Sequence, residues 1–224
     1  MRNRKGNAVS GAVVLRRAHR DQGKMKIRVY LIRHGKTAGN LKQAYIGSTD
    51  QPLCPQGRAE LEALAGRLPI PDELWRSPLC RCGQTAGILY PGVPARVCAD
   101  LRECDFGRYE GKNYDQLKDE AAYQEWLDSG GTIPFPDGED PMVFRARSRE
   151  AFAAIAASVA KRHPGGTLAI VCHGGTIMAI LEAFSVPHRD FYDWQVPNGG
   201  GYRFWYDPRT KSAEEMVLLT DRRK

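Results

Sequence analysis

The sequence predicts an α/β fold: a three-layer α/β/α sandwich on a mostly parallel central sheet, with an antiparallel edge at its C-terminal end. Apolar runs rich in β-branched residues alternate with segments in which apolar residues recur at helical spacing, which is typical of α/β proteins. The last two apolar runs, 202–206 and 215–219, are close in sequence and indicate an antiparallel pair. The 224 residues suffice for one domain with a sizeable core.

The first strand, at 27–32, is the most clearly marked element of the N-terminal half. β-Branched and aromatic residues dominate it, and Arg33-His34-Gly35 ends it, as expected for a buried strand. Pro55 suits the first position of the next long helix, and Ser77 is the expected cap of the one after it. The elements predicted here are a short helix or loop at 37–44, a helix at 55–68, a strand at 73–77, a helix at 78–89 and a strand at 95–99.

The C-terminal half begins with a loop at 100–114, where turn residues replace any periodicity. A helix is predicted at 114–127, with Leu117, Ala121 and Trp126 facing inward. The Gly- and Pro-rich segment 130–140 is expected to be an ordered surface loop or lid. The remaining elements before the antiparallel pair are an alanine-rich helix at 141–162, a buried strand at 167–172 and a helix at 176–184.

The positive charge is concentrated near the N-terminus. The whole chain carries a net charge of +7, and residues 1–24 hold seven basic residues against one aspartate. The rest of the chain is therefore nearly neutral, and no nucleic-acid partner is expected. The segment also lacks the apolar stretch of a secretory signal. We expect a disordered basic extension at 1–24, or an upstream start before Met25, and a single domain at 25–224 with a lid-like insertion at about 107–140.

The six cysteines are expected to be reduced thiols of a cytoplasmic protein, because a chain of this size needs no disulfide framework. Cys80 and Cys82 are separated by one residue, which does not match the spacing of a zinc site. No apolar run approaches the roughly 20 residues that cross a bilayer. The sequence therefore predicts neither a metal site nor a membrane partner.

Two predicted parallel strands end in the same way. Leu31-Ile-Arg-His-Gly and Ile170-Val-Cys-His-Gly each lead from a buried strand into His-Gly. The carboxyl ends of parallel strands meet at one edge of a sheet, where α/β proteins bind their ligands. Arg81 is expected in the first turn of the helix at 78–89, which begins at that edge. Two histidines and two arginines (His34, His173, Arg33 and Arg81), without clustered carboxylates, predict a pocket for a phosphate dianion.

Five blocks resemble, in order, the motifs of the histidine phosphatase superfamily, which has the phosphoglycerate-mutase-like fold. The resemblance spans roughly residues 25–219. Cys54 departs from it, because a Thr or Ser usually caps the next helix there and a thiol is expected to cap poorly. The matching blocks are Leu31-Ile-Arg-His-Gly-Lys-Thr37 with Asn40, Asp50-Gln-Pro-Leu53 with Gly57, Ser77-Pro-Leu-Cys-Arg81, Leu101-Arg-Glu-Cys-Asp-Phe-Gly-Arg-Tyr-Glu-Gly111 and Val171-Cys-His-Gly-Gly175.

The resemblance implies a role for each residue of the site, with neither metal nor cofactor. His34 would attack phosphorus and become a phosphohistidine. Glu103 would protonate the leaving alkoxide and then activate water, so partial burial and a raised pKa are expected for it, with Asp105 as its nearest competitor. The phosphate ligands implied by the motifs are Arg33, Asn40, Arg81, His173 and Gly174.

The predicted activity is hydrolysis of a small phosphorylated metabolite, and the alternatives are a mutase and a non-catalytic binder. Phosphoglycerate mutases carry an arginine directly after the catalytic glutamate, whereas Cys104 follows Glu103 here. The block 101–111, which carries Glu103 and is called the acid loop below, resembles that of small bacterial phosphatases, including α-ribazole phosphatases. Glu139 and Arg147 also resemble a pair in that subgroup, although Asp137 and Asp140 depart from its pattern.

The substrate is not predicted beyond that class. Trp126, Ile133 and Phe135 are candidates to contact its organic part, and ordinary packing under a loop is an equal alternative. Lys36 and Ala38 suggest a preference for more anionic compounds. Aromatic residues at 191–194 and 202–205, if exposed, would support a homodimer over a monomer.

Overall fold

A computed structural model describes residues 25–219, and six strands form one sheet within that range. The basic segment 1–24, for which disorder was predicted, lies outside the described residues. In chain order the strands are β1 (Ile27–Arg33), β2 (Glu73–Arg76), β3 (Ala95–Val97), β4 (Thr167–Cys172), β5 (Gly201–Asp207) and β6 (Ser212–Leu219). Across the sheet their order is β3-β2-β4-β1-β5-β6.

Helices connect the strands and cover both faces of the sheet. Short 3₁₀ turns at Ala99–Leu101, Gly107–Tyr109 and Phe191–Trp194 lie between them. The helices are α1 (Ala38–Leu41), α2 (Pro55–Glu62), α3 (Cys80–Leu89), α4 (Tyr114–Leu117), α5 (Ala121–Asp128), α6 (Pro141–Arg162) and α7 (Gly174–Phe184).

Strand directions confirm the predicted architecture. β1 pairs in parallel with β4, which pairs in parallel with β2, and β2 with β3. β5 runs antiparallel to β1, and β6 antiparallel to β5, so the C-terminal pair forms the antiparallel edge. The central parallel strands, β1 and β4, are largely apolar and buried because helices cover both faces of the sheet.

Alternate residues of β1 face opposite layers, which makes the sandwich three-layered. Val29 and Leu31 join an apolar cluster that includes residues of α6 and α7, such as Phe152. Tyr30 and Ile32 join a second cluster, on the other face, with residues of α2 and α3. Successive side chains of a strand point to opposite faces, so Cys172 on β4 is expected to point away from His173. It belongs to the first cluster.

A third apolar cluster lies away from the sheet, beneath the segment 130–140. Trp126 on α5 lies 5.1 Å from the Phe135 ring, centroid to centroid, and both side chains are buried. The same segment is tied to residues 105–108. Gly107 has a φ of +52°, and a Cβ there would lie 2.2 Å from the Pro136 carbonyl oxygen. Glycine allows this approach of the two loops.

The helix predicted at 114–127 is two helices. α4 ends at Leu117, and α5 begins at Ala121 after a non-helical Glu120. The break changes the phase of the inward face, so Ala121 is exposed and Tyr123 is buried instead. Leu117 and Trp126 are buried as predicted.

Other element boundaries also differ from the prediction. α2 ends at Glu62, and turns that include Gly66 at a φ of +76° continue to residue 68. Asp50, from a separate loop, caps α3 through the Cys80 N–H at 2.8 Å, so Ser77 is not the N-cap. α7 begins at Gly174, two residues earlier than predicted.

Cys54 does cap α2, because its sulfur accepts the Gly57 N–H at 3.4 Å. Of the aromatic residues on which the dimer argument depends, Trp194, Tyr202 and Phe204 are buried within the chain, whereas Tyr192 is 48% exposed. Monomer or homodimer therefore stays a prediction. None of the helices described between residues 25 and 219 is long and apolar enough to cross a membrane.

Candidate active site

The predicted histidines meet at the carboxyl edge of the sheet. In the β1–β4 ladder Arg33 lies opposite Cys172, and the His34 N–H donates to the Cys172 carbonyl at 3.0 Å. His34 and His173, each one residue beyond its strand, therefore lie side by side. Their ring centroids are 5.1 Å apart, in an edge-to-face arrangement.

His34 is held as a neutral imidazole with a defined tautomer. Its Nδ1 lies 2.7 Å from the Gly35 carbonyl oxygen. A carbonyl only accepts hydrogen bonds, so Nδ1 carries the proton and Nε2 keeps its lone pair. Burial lowers the pKa of His34 well below 6.5, and the charges of Arg81 and Arg33 lower it further.

His173 is fully buried beside His34, and burial, followed by the neighbouring His34, lowers its pKa. Its Nε2 lies 2.7 Å from the Ser77 hydroxyl and 3.6 Å from the Cys82 sulfur. Ser77 therefore orients the second imidazole instead of capping α3.

Arg33 and Arg81 approach the histidines from two different elements. Arg33 ends β1 and donates to the Val196 carbonyl at 2.8 Å. Arg81, in the first turn of α3, is completely buried and donates to the carbonyls of Gly47 and Thr49 at 2.8 Å each. The Nε atoms of both guanidinium groups are buried without a hydrogen-bond partner among residues 25–219. Two fixed, incompletely paired cations beside neutral imidazoles favour an anion.

Asn40 presents its amide nitrogen to the same region. Its Oδ1 is occupied: it accepts from the Thr37 N–H at 3.0 Å and from the Asn198 amide at 3.2 Å. Asn198 also donates to the His34 carbonyl at 3.2 Å, which ties the backbone of His34 to Asn40. The NH₂ group of Asn40 is thereby the part of the side chain available as a donor to a ligand.

Glu103 is buried at the N-terminus of α7. Its carboxylate accepts the Gly175 N–H at 2.9 Å and the Cys104 N–H at 3.1 Å. Burial raises the pKa of Glu103, although these two hydrogen bonds oppose the shift. A Cβ at position 175 would lie 2.5 Å from Glu103 Oε1, so only glycine lets the carboxylate come this close to the helix end.

Arg147 on α6 holds the backbone that carries Glu103. It donates to the Arg102 carbonyl at 2.8 Å and the Glu103 carbonyl at 3.0 Å. It also forms a two-pronged ion pair with Glu139 of segment 130–140, at 2.6 and 2.7 Å. The acid loop, the segment over it and α6 are thus joined through one guanidinium.

Glu110 organises the loop that holds Arg81. Its carboxylate accepts backbone N–H groups of Gly47, Ser48 and Phe106 at 2.9–3.1 Å, and the Thr49 hydroxyl at 2.6 Å. These bonds fix the loop with its carbonyls turned to Arg81.

A cavity of about 640 Å³ opens onto these groups. Five of the seven predicted site residues line it: Arg33, His34, Asn40, Glu103 and Gly174. The other two, Arg81 and His173, are completely buried and do not line the cavity, and the His173 ring lies against the His34 ring. Lys36 lies outside this cavity and pairs with Glu60 at 2.7 Å, so the predicted influence of Lys36 on anionic substrates is not supported.

Comparison with known proteins identifies the family. The family model of the histidine phosphatase superfamily, branch 1, matches residues 29–218. The chain belongs to the histidine phosphatase superfamily. The resemblance in five sequence blocks is thereby confirmed.

The relatives of this histidine phosphatase include phosphatases, the predicted class, and phosphoglycerate mutases, one of the alternatives. Glucosyl-3-phosphoglycerate phosphatase of Mycobacterium tuberculosis is 30% identical over 191 residues, which cover 80% of this chain and 83% of the relative. The crystal structure of α-ribazole phosphatase from Shigella flexneri matches with a TM-score of 0.73 at 25% identity, covering 87% of this chain and 96% of that one. A phosphoglycerate mutase from Thermus thermophilus matches with a TM-score of 0.65 at 27% identity, covering 87% and 99%.

The family and its phosphatase members confirm the predicted enzyme class, a phosphatase, and a small phosphorylated compound fits that class as substrate. Among residues 25–219, no group of three or more His, Cys, Asp or Glu side chains is placed to hold a metal ion.

Sequence reasoning missed the partners of this histidine phosphatase's site residues. Ser77 was predicted to cap α3, whereas it bonds His173. The contacts of Asn198 with His34, of Gly175 with Glu103 and of Glu110 with the loop that holds Arg81 were not predicted. The run Pro197-Asn-Gly-Gly200 is typical of a turn. It was the sequence pattern that could have indicated Asn198.

Proposed function

We propose that this protein is a metal-independent phosphomonoester hydrolase that works through a phosphohistidine at His34. The observation that carries the proposal is the state of His34: buried, neutral, and bonded through Nδ1 to its neighbour's carbonyl. Nε2 is then a nucleophile with no proton to lose. A surface histidine would be partly protonated near its pKa and free to rotate.

The phosphoryl group binds between the two imidazoles in this proposal. Arg33, Arg81 and the Asn40 amide donate to its oxygens, together with the backbone at Gly174. These cations and dipoles are fixed before the substrate arrives, so they stabilise the transition state without reorganising. His173 contacts the same oxygens and is kept in place by Ser77.

Glu103 supplies and then removes a proton. As the bond between Nε2 and phosphorus forms and the ester P–O bond breaks, protonated Glu103 gives its proton to the leaving alkoxide. Water then attacks phosphorus, Glu103 accepts a proton from it, and the N–P bond breaks to release phosphate. The raised pKa of Glu103 suits both steps, because the group keeps its proton to a higher pH than an exposed carboxyl does.

Hydrolysis is favoured over a mutase reaction by the residue after Glu103. The mutases of the family carry arginine there, whereas Cys104 is buried in the third apolar cluster. Burial raises the pKa of the Cys104 thiol, so this side chain brings no charge to a second anionic group. An α-ribazole phosphate substrate is a narrower alternative, supported by the acid-loop resemblance and by the structural similarity to the Shigella enzyme.

The test is to trap the intermediate. Radiolabelled phosphomonoester is mixed with protein and quenched in alkaline detergent, because phosphohistidine is hydrolysed in acid. Wild type is expected to carry acid-labile label, and His34→Ala to carry none and lose more than about a thousandfold in rate. His188→Ala, an exposed histidine, is the matched control. Phosphate release by His34→Ala, loss of activity in EDTA, or phosphoglycerate exchange without phosphate release would contradict the proposal.

A further inference from the structure

The cavity beyond the phosphate end is aromatic, and several of its rings are not covered by protein. Tyr192 is 48% exposed, and Tyr45, Phe106 and Phe191 are only partly buried. Aromatic side chains left open to a cavity beside reactive groups indicate a ligand that covers them. The rings that line the cavity are Tyr45, Phe106, Trp126, Phe135, Phe191 and Tyr192.

These rings are held from outside the cavity, so their arrangement is preformed. The Tyr45 hydroxyl bonds the Tyr123 hydroxyl at 2.8 Å. Trp126 stacks on Tyr123, with centroids 5.9 Å apart and an interplanar angle of 16°. The Tyr192 hydroxyl reaches the Gly130 carbonyl at 3.4 Å, which connects the two walls of the cavity mouth. A preformed wall loses little entropy when a flat ligand binds.

Among residues 25–219, the aromatic part of the cavity offers no unpaired charge to a second anionic group. Arg145 is the cation there, and Glu182 neutralises it through contacts at 3.1 and 3.4 Å. The Arg145 guanidinium also lies over the Phe191 ring, 3.9 Å from its centroid. A carboxylate or second phosphate on the substrate would have to compete with Glu182 for this group.

We propose that the substrates are phosphomonoesters of alcohols that carry a planar aromatic group and no second anionic group. The proposal rests on the proposed function and deepens it by naming the substrate class. The phosphate binds at His34, and the planar group lies among the aromatic rings. Offset or edge-to-face contacts between rings favour such a group over a saturated group of equal size.

The experiment compares esters whose leaving alcohols are matched. Benzyl phosphate and cyclohexylmethyl phosphate differ in planarity. Adenosine 5′-phosphate and methyl β-ribofuranoside 5-phosphate share one leaving hydroxyl and differ in the base, while 3-phosphoglycerate tests a second anion. The kcat/KM is measured for each ester, and dissociation constants are measured by calorimetry with His34→Ala. Binding is thereby tested independently of turnover.

The planar member of each pair is expected to have a kcat/KM at least about fivefold higher and to bind correspondingly more tightly. Tyr192→Ala should lower this ratio, and Tyr192→Phe should retain it. Tyr114→Ala is the matched control, because Tyr114 is 56% exposed and does not line the cavity.

Equal kcat/KM values and affinities within the pairs would overturn the inference, even if phosphate is released. A preference for 3-phosphoglycerate, or a ratio unchanged in Tyr192→Ala, would also overturn it. If no ester is hydrolysed but the planar members still bind more tightly, the proposed function fails, and with it the assignment of substrates, while the preference of the cavity for a planar group stands.

Discussion

Burial acts in opposite directions on the two residues proposed to do the chemistry. Removing His34 from water disfavours its cation and lowers its pKa, and removing Glu103 disfavours its anion and raises its pKa. One desolvated site thus extends to lower pH the range in which the imidazole is unprotonated, and to higher pH the range in which the carboxyl is protonated. Two groups whose environments shift their pKa values in this way are suited to separate roles.

This arrangement predicts a pH profile. Activity requires neutral His34 and protonated Glu103, so kcat/KM should persist below pH 6.5, the ordinary pKa of histidine, and fall at higher pH as Glu103 ionises. Glu103→Gln should remove the alkaline limb and lower kcat/KM by about 10²- to 10⁴-fold for an alkyl phosphate.

The loss in Glu103→Gln should be smaller for p-nitrophenyl phosphate, whose leaving group needs no proton. Asp105→Gln is the comparison, because Asp105 was the sequence-based competitor for the role. Equal losses on both esters would count against Glu103 as the acid.

The loop that holds Arg81 owes its shape to one carboxylate on another element. Glu110 gathers N–H groups of residues 47–49 and 106, and the carbonyls of Gly47 and Thr49 then face Arg81. A carboxylate has enough acceptor positions for this set, whereas an amide has one oxygen and two donors. Glu110 therefore positions Arg81, one of the proposed phosphate ligands.

Glu110→Gln is expected to lower kcat/KM by about tenfold to a hundredfold, since a small displacement of Arg81 weakens phosphate binding. The inhibition constant of orthovanadate should rise in parallel, which a loss of stability alone would not produce. Glu150→Gln, on the exposed side of α6, is the matched control. An unchanged vanadate constant would refute the positioning role.

Elements specified by short-range patterns were predictable, and those decided by distant contacts were not. β1 and β4 follow from continuous apolar runs, and their His-Gly ends placed His34 and His173. In contrast, Ser77 contacts a histidine 96 positions away, and Asn198 lies 164 positions from His34. Both residues looked like ordinary cap or turn residues. The break before α5 was likewise invisible, because Lys118-Asp-Glu120 fits a helical surface as well as a turn.

Across the whole molecule, the Glu139–Arg147 pair joins segment 130–140 to the rest of the domain. Both side chains are well buried, with 12% and 11% exposed. Burial alone would raise the pKa of Glu139. The hydrogen bond and charge of Arg147, the Asp105 N–H and the charge of Arg102 together outweigh burial, and the pKa lies below the ordinary 4.5. The stability from this pair is therefore present above about pH 4.5 and lost as pH falls through the lowered pKa.

Arg147→Met should decrease the free energy of unfolding by about 3–5 kcal/mol, because it leaves a buried carboxylate unpaired. The double variant Arg147→Met/Glu139→Gln should recover part of the loss. Urea denaturation at pH 7 measures both, with Arg149→Met, an exposed neighbour on α6, as control. A loss no larger than that of the control would show that the pair contributes little.

The register between β1 and β4 determines how far the residues around His34 and His173 can vary. Neighbouring strands are about 4.7–4.9 Å apart, and the two imidazole centroids are 5.1 Å apart. The separation of the two imidazoles is thus set by the spacing of neighbouring strands and does not depend on the loops above the sheet. The rings around the cavity can change with the substrate while the distance between His34 and His173 stays constant. By contrast, a single-residue slip between these strands would turn one imidazole to the opposite face of the sheet.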